Sequence, residues 1–254
     1  MIDVGQADAI LITQGDNSML IDAGEYETAD EVNSYISSQG ISKLDYVVET
    51  HPHSDHIGAM YTVIDNFDIG KVIMSGKRHT TRTYENLLKS ISKKNVEKVD
   101  GFVGEKYDLG KASFEIVGPT CDSSYGDNLN DYSLVIKLTY GNNTFLFTGD
   151  AEEKSEEDML NSNTNLRCDV LKVGHHGSST ATTDEFFHAA TPKYAVISVG
   201  QNNSYGLPDK RVMDLFKNNF VTVYRTDESG TIIATSDGNE ITFDKSPGTY
   251  NSPD

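Results

Sequence analysis

Three imidazoles and one carboxylate lie within six residues of this chain, at His51-Pro52-His53-Ser54-Asp55-His56. The segment before them, residues 44–50, is short and rich in β-branched and aromatic residues, which predicts a buried strand. The segment after them, residues 57–64, has apolar residues at helical spacing. The cluster is therefore predicted to occupy a loop between a strand end and a helix start. Proline cannot continue a strand ladder, so Pro52 stiffens that loop.

The residue types in this loop are typical of a metal site. Neutral imidazole and carboxylate suit zinc, manganese or iron, and the loop contains no thiolate. His51 and His53 alternate along an extended segment and can turn to one side. Asp55 and His56 are adjacent, so we expect them to point differently and to serve a second ion, which would clamp a reacting group with the first. A polar surface loop is the alternative, but burying several unpaired polar groups near a strand end is costly.

Two further polar motifs follow predicted strands. Asp150 comes after strand 144–148 and either approaches metal or caps an acidic helix predicted over residues 152–160. His175 and His176 follow strand 169–173. Because adjacent histidines cannot easily face the same atom, we expect His176 to bind metal and His175 to pack or to donate a hydrogen bond. The neighbouring glycines allow close backbone approach, and Ser178 is a candidate substrate contact.

The motif His-x-His-x-Asp-His after a strand resembles the signature of the metallo-β-lactamase superfamily. The resemblance continues in family order through DVGQADAILI (3–12), LIDAG (20–24), FTGDAE (147–152) and DVLKVGHHGS (169–178). This ordered set is most similar to the competence-protein branch, which comprises the hydrolase domain of ComEC-type DNA-uptake proteins and its free-standing bacterial relatives. It covers residues 1–244.

The resemblance implies an α/β fold, the αββα four-layer sandwich. We expect one metallo-hydrolase domain of two βα lobes (about 1–130 and 131–244) and a polar tail at 245–254. The resemblance also implies that Asp150 bridges two metal ions. It implies that Asp22 organises the site without binding metal, although a turn residue that caps the next helix explains Asp22 nearly as well.

Two positions depart from the family pattern, which commonly has a metal-binding histidine at each. This chain has Asn130-Asp131 at the first and Leu207 at the second. We expect Asn130 or Asp131 to act as an oxygen ligand or as a substrate contact. The expected cofactor is zinc, as one or two ions, with manganese or iron as alternatives.

Composition limits the partners. The net charge of −18 repels phosphate backbones and anionic membranes at long range, which disfavours tight nonspecific nucleic-acid binding. One cationic loop, at residues 75–84, stands out in this acidic chain, and its Arg78 is a candidate phosphate contact. Cys121 and Cys168 are far apart and form neither a metal motif nor a disulfide framework.

The compartment stays open. No apolar run approaches the ~20 residues of a membrane span, and no signal peptide is visible. Because Met1 directly precedes the first expected strand, we expect the chain to be part of a longer bacterial protein, for which an extracytoplasmic location is one option.

The function predicted from these observations is hydrolysis by a metal-bound hydroxide, with Asp55 holding the second ion and orienting the nucleophile or accepting a proton. The substrate class that the resemblance favours is a phosphodiester, in nucleic acid or in a small phosphoester. Two alternatives are a same-fold hydrolase of another ester (a lactone, a thioester or a phosphorylcholine ester) and a non-catalytic binding module.

Overall fold

The computed structural model describes residues 1–120 and 124–253. The first strands are β1 (Ala9–Gln14), β2 (Asn17–Ala23), β3 (Lys43–Val48), β4 (Asp68–Met74) and β5 (Glu97–Asp100). They form one sheet in the order β1-β2-β3-β4-β5. β1 and β2 are an antiparallel hairpin, and β2 to β5 run parallel.

A second sheet follows in the chain. Its strands are β6 (Lys106–Leu109), β7 (Ala112–Gly118), β8 (Val135–Tyr140), β9 (Asn143–Phe147), β10 (Val170–Lys172), β11 (Tyr194–Ile197) and β12 (Thr222–Arg225). The order is β12-β11-β10-β9-β8-β7-β6, antiparallel from β6 to β9 and parallel from β9 to β12. The chain therefore changes sheets between Asp100 and Lys106, earlier than the lobe boundary expected near residue 130.

Helices cover the outer face of each sheet. They are α1 (Ala29–Ser38), α2 (Ser54–Ile57), α3 (Met60–Asn66), α4 (Arg82–Lys94), α5 (Glu153–Asn161), α6 (Asp184–Ala190), α7 (Lys210–Asn218) and α8 (Thr226–Ser229). One core joins α1, α3 and α4 to the first sheet, and two others join α5, α6 and α7 to the second. The predicted αββα sandwich is confirmed.

Strand β2 shows why the sequence forms two layers at once. Met19 and Ile21 face the core between the two sheets, whereas Leu20 faces the helices. All three side chains are buried, which contributes about 1.5–3 kcal/mol each. Successive side chains of a strand point to opposite faces, so a continuous apolar run is what a sheet covered on both sides requires.

The C-terminal segment lies against the second sheet. Strands β13 (Ala234–Ser236) and β14 (Ile241–Phe243) form a small hairpin, and the chain then returns to the second sheet. The Gly248 amide donates to the Val223 carbonyl at 2.8 Å, and the Tyr250 hydroxyl donates to the Val221 carbonyl at 2.7 Å. Residues 245–253 are thus held against the domain although they form no regular element.

Two sequence predictions concern cysteines and membranes. Cys121 lies outside the described residues. Cys168 is a buried free thiol, and burial raises its pKa to about 12. Within residues 1–120 and 124–253, no helix has the length and apolarity to cross a membrane.

The strand directions bring distant motifs to one edge. The carboxyl ends of β2 and β3 in the first sheet, and of β9 and β10 in the second, lead into the loops that carry the predicted site residues. A cleft at the strand ends of two packed sheets is a common place for a ligand site.

Candidate metal centre

The buried carboxylate of Asp22 holds the loop after β3 in position. Asp22, near the end of β2, accepts the Thr50 amide at 2.9 Å and the Thr50 hydroxyl at 2.7 Å. Oδ2 of Asp22 also lies 2.7 Å from Nδ1 of His56. Asp22 therefore fixes both the end of β3 and the ring of His56.

Asp150 lies at the centre of the site. Its Oδ2 atom is 3.2 Å from Nε2 of His56 and 3.7 Å from Nε2 of His176. The same oxygen is 3.8 Å from Nε2 of His175 and 4.0 Å from Nε2 of His51. Four imidazoles, from the loops after β3 and β10, thus surround one buried carboxylate from the loop after β9.

Four of these groups form a compact set of ligand atoms. Asp55, His56, Asp150 and His176 each offer one atom, and all four atoms lie within 4.8 Å of one another. Asp55 Oδ2 is 3.6 Å from His56 Nε2 and 3.3 Å from His176 Nε2. Two imidazoles and two carboxylates are a typical donor set for a transition-metal ion. We name these four residues the second set, because they include Asp55 and His56, which were expected to serve a second ion.

His51 and His53 form a separate pair. Nε2 of His51 and Nδ1 of His53 are 3.0 Å apart, a separation that suits two nitrogens binding one ion at about 2.0–2.1 Å each. Asp150 Oδ2 is the carboxylate oxygen next to this pair. We name His51, His53 and Asp150 the first set.

Hydrogen bonds set which nitrogen of each ring faces inward. Nδ1 of His176 lies 2.9 Å from the Ser198 carbonyl, so this nitrogen carries the proton and Nε2 is left for a ligand. Nδ1 of His56 is similarly bound to Asp22. Nδ1 of His51 lies 3.2 Å from the Thr50 hydroxyl, which accepts because its own proton goes to Asp22. Outer contacts of this kind orient metal-binding histidines.

Two atoms show that the site fits a cation. His56 Nε2 and Asp150 Oδ1 are buried and have no hydrogen-bond partner among the described residues. Buried polar groups are normally satisfied, and several carboxylates buried together need positive charge nearby. A divalent ion held by the second set would meet both requirements.

The ionisation of the centre favours metal binding. Burial, with the nearby His56, holds the pKa of His51 well below its ordinary value, so the His51 ring is uncharged, as a metal ligand must be. Burial alone would raise the pKa of Asp150, but His56 and His176 hold it well below its ordinary value. Burial also opposes charge on His56, yet Asp150, Asp55 and Asp22 raise its pKa well above the usual range. The carboxylates therefore favour a cation here.

A buried ion pair lies behind the centre, and sequence reasoning assigned it no role. The Lys172 ammonium group contacts the Asp8 carboxylate, and both side chains are 1% exposed. Asp8 Oδ1 is 3.6 Å from Nδ1 of His176. The sequence does contain one sign of this pair: one charged residue lies within each of two apolar runs, 7–12 and 170–173. Charged residues are rarely fully buried unless they are paired.

Asp131 does not join the ligand atoms. Its Oδ1 accepts the amides of Glu152 and Ser155 at 3.1 and 3.2 Å, so it caps the start of α5. This explains why Asp150 is free of the capping role weighed from sequence. Asn130 donates to Glu152 at 3.4 Å and likewise lies outside both sets.

The other predicted contacts have varied positions. Ser178 is half-buried with its hydroxyl 2.9 Å from that of Thr180. Arg78 is exposed, and its loop approaches the site through His79, whose ring centroid is 6.1 Å from that of His53. Leu207 packs with the α7 core, so the second set is formed without a side chain from that position.

The adjacent histidines have an unusual backbone. His175 (φ 47°, ψ 48°) and His176 (φ 54°, ψ 23°) are both left-handed, and this backbone turns both Nε2 atoms toward Asp150. Nδ1 of His175 also lies within hydrogen-bond distance of Glu152, at 2.9 Å. Local sequence gives no sign of this backbone, because non-glycine residues uncommonly have positive φ.

The fold and the site together define an αββα protein with a candidate histidine–carboxylate metal site at the shared edge of its sheets. The chain belongs to the metallo-beta-lactamase superfamily, whose family model matches residues 2–201.

Two curated relatives support the resemblance to competence proteins. ComE operon protein 3 of Bacillus subtilis (strain 168) is 28% identical over 250 residues, which cover 91% of this chain and 32% of the relative. Competence protein ComA of Neisseria gonorrhoeae is 28% identical over 232 residues, with 91% and 31% covered. The chain thus spans about a third of the length of these relatives.

The fold is shared with solved structures. The metallo-beta-lactamase fold protein YhfI from Bacillus subtilis superposes with a TM-score of 0.58 and 14% identity, covering 88% of this chain and 94% of that one.

Proposed function

We propose that this chain is a metal-dependent hydrolase that cleaves phosphodiesters. The observation that carries the proposal is the environment of Asp150, whose Oδ2 lies within 4.0 Å of a ring nitrogen from each of four histidines. A carboxylate placed in this way can contact two ions at once, and pairs of ions are used widely in the cleavage of phosphate esters.

The two sets assign the ligands. His51, His53 and Asp150 would hold one ion, and Asp55, His56, Asp150 and His176 would hold the other. Zinc, manganese or iron bound there would supply Lewis acidity and a nucleophile at neutral pH.

Asp55 is the most open member of the second set, with its side chain 28% exposed. Burial would raise its pKa, but His56 and His176 hold the pKa below its ordinary value, so Asp55 is ionised at neutral pH. An ionised carboxylate at the mouth of the site can orient an attacking water molecule or accept its proton.

The cationic loop favours phosphate as the reacting group. Lys77, Arg78 and Arg82 belong to the segment that brings His79 near His53, in a chain of net charge −18. The resemblance to ComEC-type DNA-uptake proteins, together with the relative named competence protein ComA, supports a substrate in DNA. The overall negative charge favours local contact with one or a few phosphates over broad nucleic-acid binding.

The test combines metal content with hydrolysis of bis-p-nitrophenyl phosphate. Wild-type protein purified without chelator should contain metal and release p-nitrophenol. His53→Ala should lose metal and activity but stay folded, because the packed cores do not include the loop. His188→Ala is the matched control, since this exposed histidine lies on α6.

Three results would contradict parts of the proposal. Full metal content in His53→Ala would show that the ligand assignment is wrong. Fully loaded wild-type protein without turnover of any ester would indicate a binding module. Turnover of a lactone, a thioester or a phosphorylcholine ester, but of no diester, would show that the substrate class is wrong.

A further inference from the structure

The first set has two nitrogen ligands and shares its carboxylate ligand with the second set. A catalytic zinc ion commonly has three protein ligands, with a further position for water or substrate. His51 and His53 supply two nitrogens, and the Asp150 oxygen must be shared with the second set. Outside the second set, residues 1–120 and 124–253 offer two candidates for a further nitrogen. Nε2 of His175 is 3.8 Å from the shared Asp150 oxygen, and the ring centroid of His79 is 6.1 Å from that of His53.

Glu152 holds His175 in a defined orientation. Nδ1 of His175 is 2.9 Å from Glu152 Oε1 and 3.1 Å from the Thr180 hydroxyl, both acceptors, so the proton lies on Nδ1 and Nε2 is directed at Asp150. The Thr180 hydroxyl donates to the same Oε1 at 2.6 Å, and the Asn128 amide donates to Oε2 at 2.6 Å. A carboxylate that accepts from the outer nitrogen of an imidazole is the usual support of a metal-binding histidine.

Glu152, which directly precedes α5, is itself held by two residues. Its main-chain amide is bound by Asp131, and its carboxylate accepts from Asn130. The two residues that sequence predicted to contact metal or substrate thus hold the carboxylate that orients His175.

The backbone at His175 carries strain that needs a reason. Each non-glycine residue in the left-handed region costs roughly 1–2 kcal/mol, and His175 and His176 are both there. Such strain persists where surrounding contacts determine the conformation, and it is concentrated at functional sites. Here the result is two adjacent rings whose centroids are 6.2 Å apart and whose Nε2 atoms both face Asp150.

We propose that Nε2 of His175 is the third nitrogen ligand of the first metal position, beside His51 and His53, and that Glu152 is its positioning residue. His175 is 28% exposed, which leaves room for substrate beside it. This assignment rests on the metal binding in the proposed function. His79 is the rival ligand, but the Thr81 hydroxyl 3.1 Å from its Nδ1 is its only described polar contact, and no carboxylate orients it.

The experiment measures zinc stoichiometry and affinity by equilibrium dialysis of chelator-stripped protein, with elemental analysis and circular dichroism. The visible spectrum of cobalt-substituted protein reports the ligands independently of activity. His175→Ala should lose one of two ions or bind it at least 100-fold more weakly. Glu152→Gln, which is isosteric, should weaken the same ion about 10- to 100-fold and keep the protein folded. His79→Ala and His188→Ala should match wild type.

The outcomes separate this inference from the proposed function. Two ions at wild-type affinity in His175→Ala, or an ion lost from His79→Ala, would overturn the assignment. Wild-type protein that binds a single ion would overturn it as well, while metal-dependent hydrolysis could stand. Wild-type protein that binds two ions without cleaving diesters would refute the substrate, while an ion lost from His175→Ala would still support the ligand.

Discussion

The buried pair of Lys172 and Asp8 gives the sharpest test of the electrostatics behind the centre. Lys172 is 1% exposed and donates to the Gly149 carbonyl at 3.0 Å in addition to its contact with Asp8. Its ammonium nitrogen is 3.9 Å from Asp150 Oδ1. Replacing Lys172 with methionine keeps most of the side-chain volume and removes the charge, so Asp8 is left buried without its cation.

Removing one partner of a buried ion pair typically costs about 3–5 kcal/mol. A folded domain has only about 5–15 kcal/mol of unfolding free energy, so Lys172→Met should remove a large part of it. With a urea m-value of about 3 kcal/mol per M, the unfolding midpoint should fall by about 1 M or more. The double variant Asp8→Asn/Lys172→Met should lose clearly less than the sum of the single variants, because neither charge is then left unpaired.

The assay is urea unfolding of chelator-treated protein at pH 7, followed by circular dichroism. Lys193→Met is the control, because Lys193 pairs with Asp169 at 2.9 Å but is 72% exposed, and a surface pair contributes at most about 1 kcal/mol. Equal losses for Lys172→Met and Lys193→Met would refute the reasoning. Burial lowers the pKa of Lys172, but Asp8 and Asp150 raise it above its ordinary value. Its stabilisation is therefore complete below pH ~10.4, is lost only as pH rises through the folded pKa, and should be constant from pH 7 to 9.

Two other stability effects follow from the same part of the fold. Asp131→Ala should lower the unfolding free energy by about 0.5–2 kcal/mol, because α5 loses its cap, while exposed Asp127→Ala should have little effect in the same urea assay. Burial raises the pKa of Glu156 to about 7, so the folded protein keeps a proton that the unfolded chain releases near pH 4.5. This group therefore lowers stability as pH rises from about 4.5 to 7, by roughly 3 kcal/mol. Glu156→Gln should become more stable relative to wild type across that window, and an unchanged difference from pH 5 to 8 would contradict the raised pKa.

The parts of the site that sequence predicted are those whose partners are close in the chain. His51, His53, Asp55 and His56 lie within one loop, and the strand before and the helix after them follow from apolar patterning. The β1–β2 hairpin is similarly local, with its turn at Gly15 and Asp16.

The parts that sequence missed depend on contacts between distant segments. The change of sheets between β5 and β6 has no local signal, because β6 pairs with β7 and β7 with β8, and no local pattern distinguishes this arrangement from pairing with β5. The capping role of Asp131 depends on an amide at Glu152, 21 positions further along the chain. Lys172 and Asp8 meet across the two sheets. The sequence shows each charge among apolar residues but does not show that the two charges pair.

Hydrogen bonds from different parts of the chain hold three rings of the centre in place. His56, His175 and His176 each have an acceptor on Nδ1 (Asp22, Glu152 and the Ser198 carbonyl), and each acceptor comes from a different segment of the chain. Each ring therefore presents Nε2 toward Asp150 without having to reorient. Ordering a side chain at binding costs roughly 0.5–1.5 kcal/mol, so acceptors that fix these rings lower the cost of binding an ion. Weakening one acceptor should therefore lower metal affinity while leaving the ligand itself in place. Glu152→Gln therefore tests how the acceptor orients the ring more directly than removal of a histidine does.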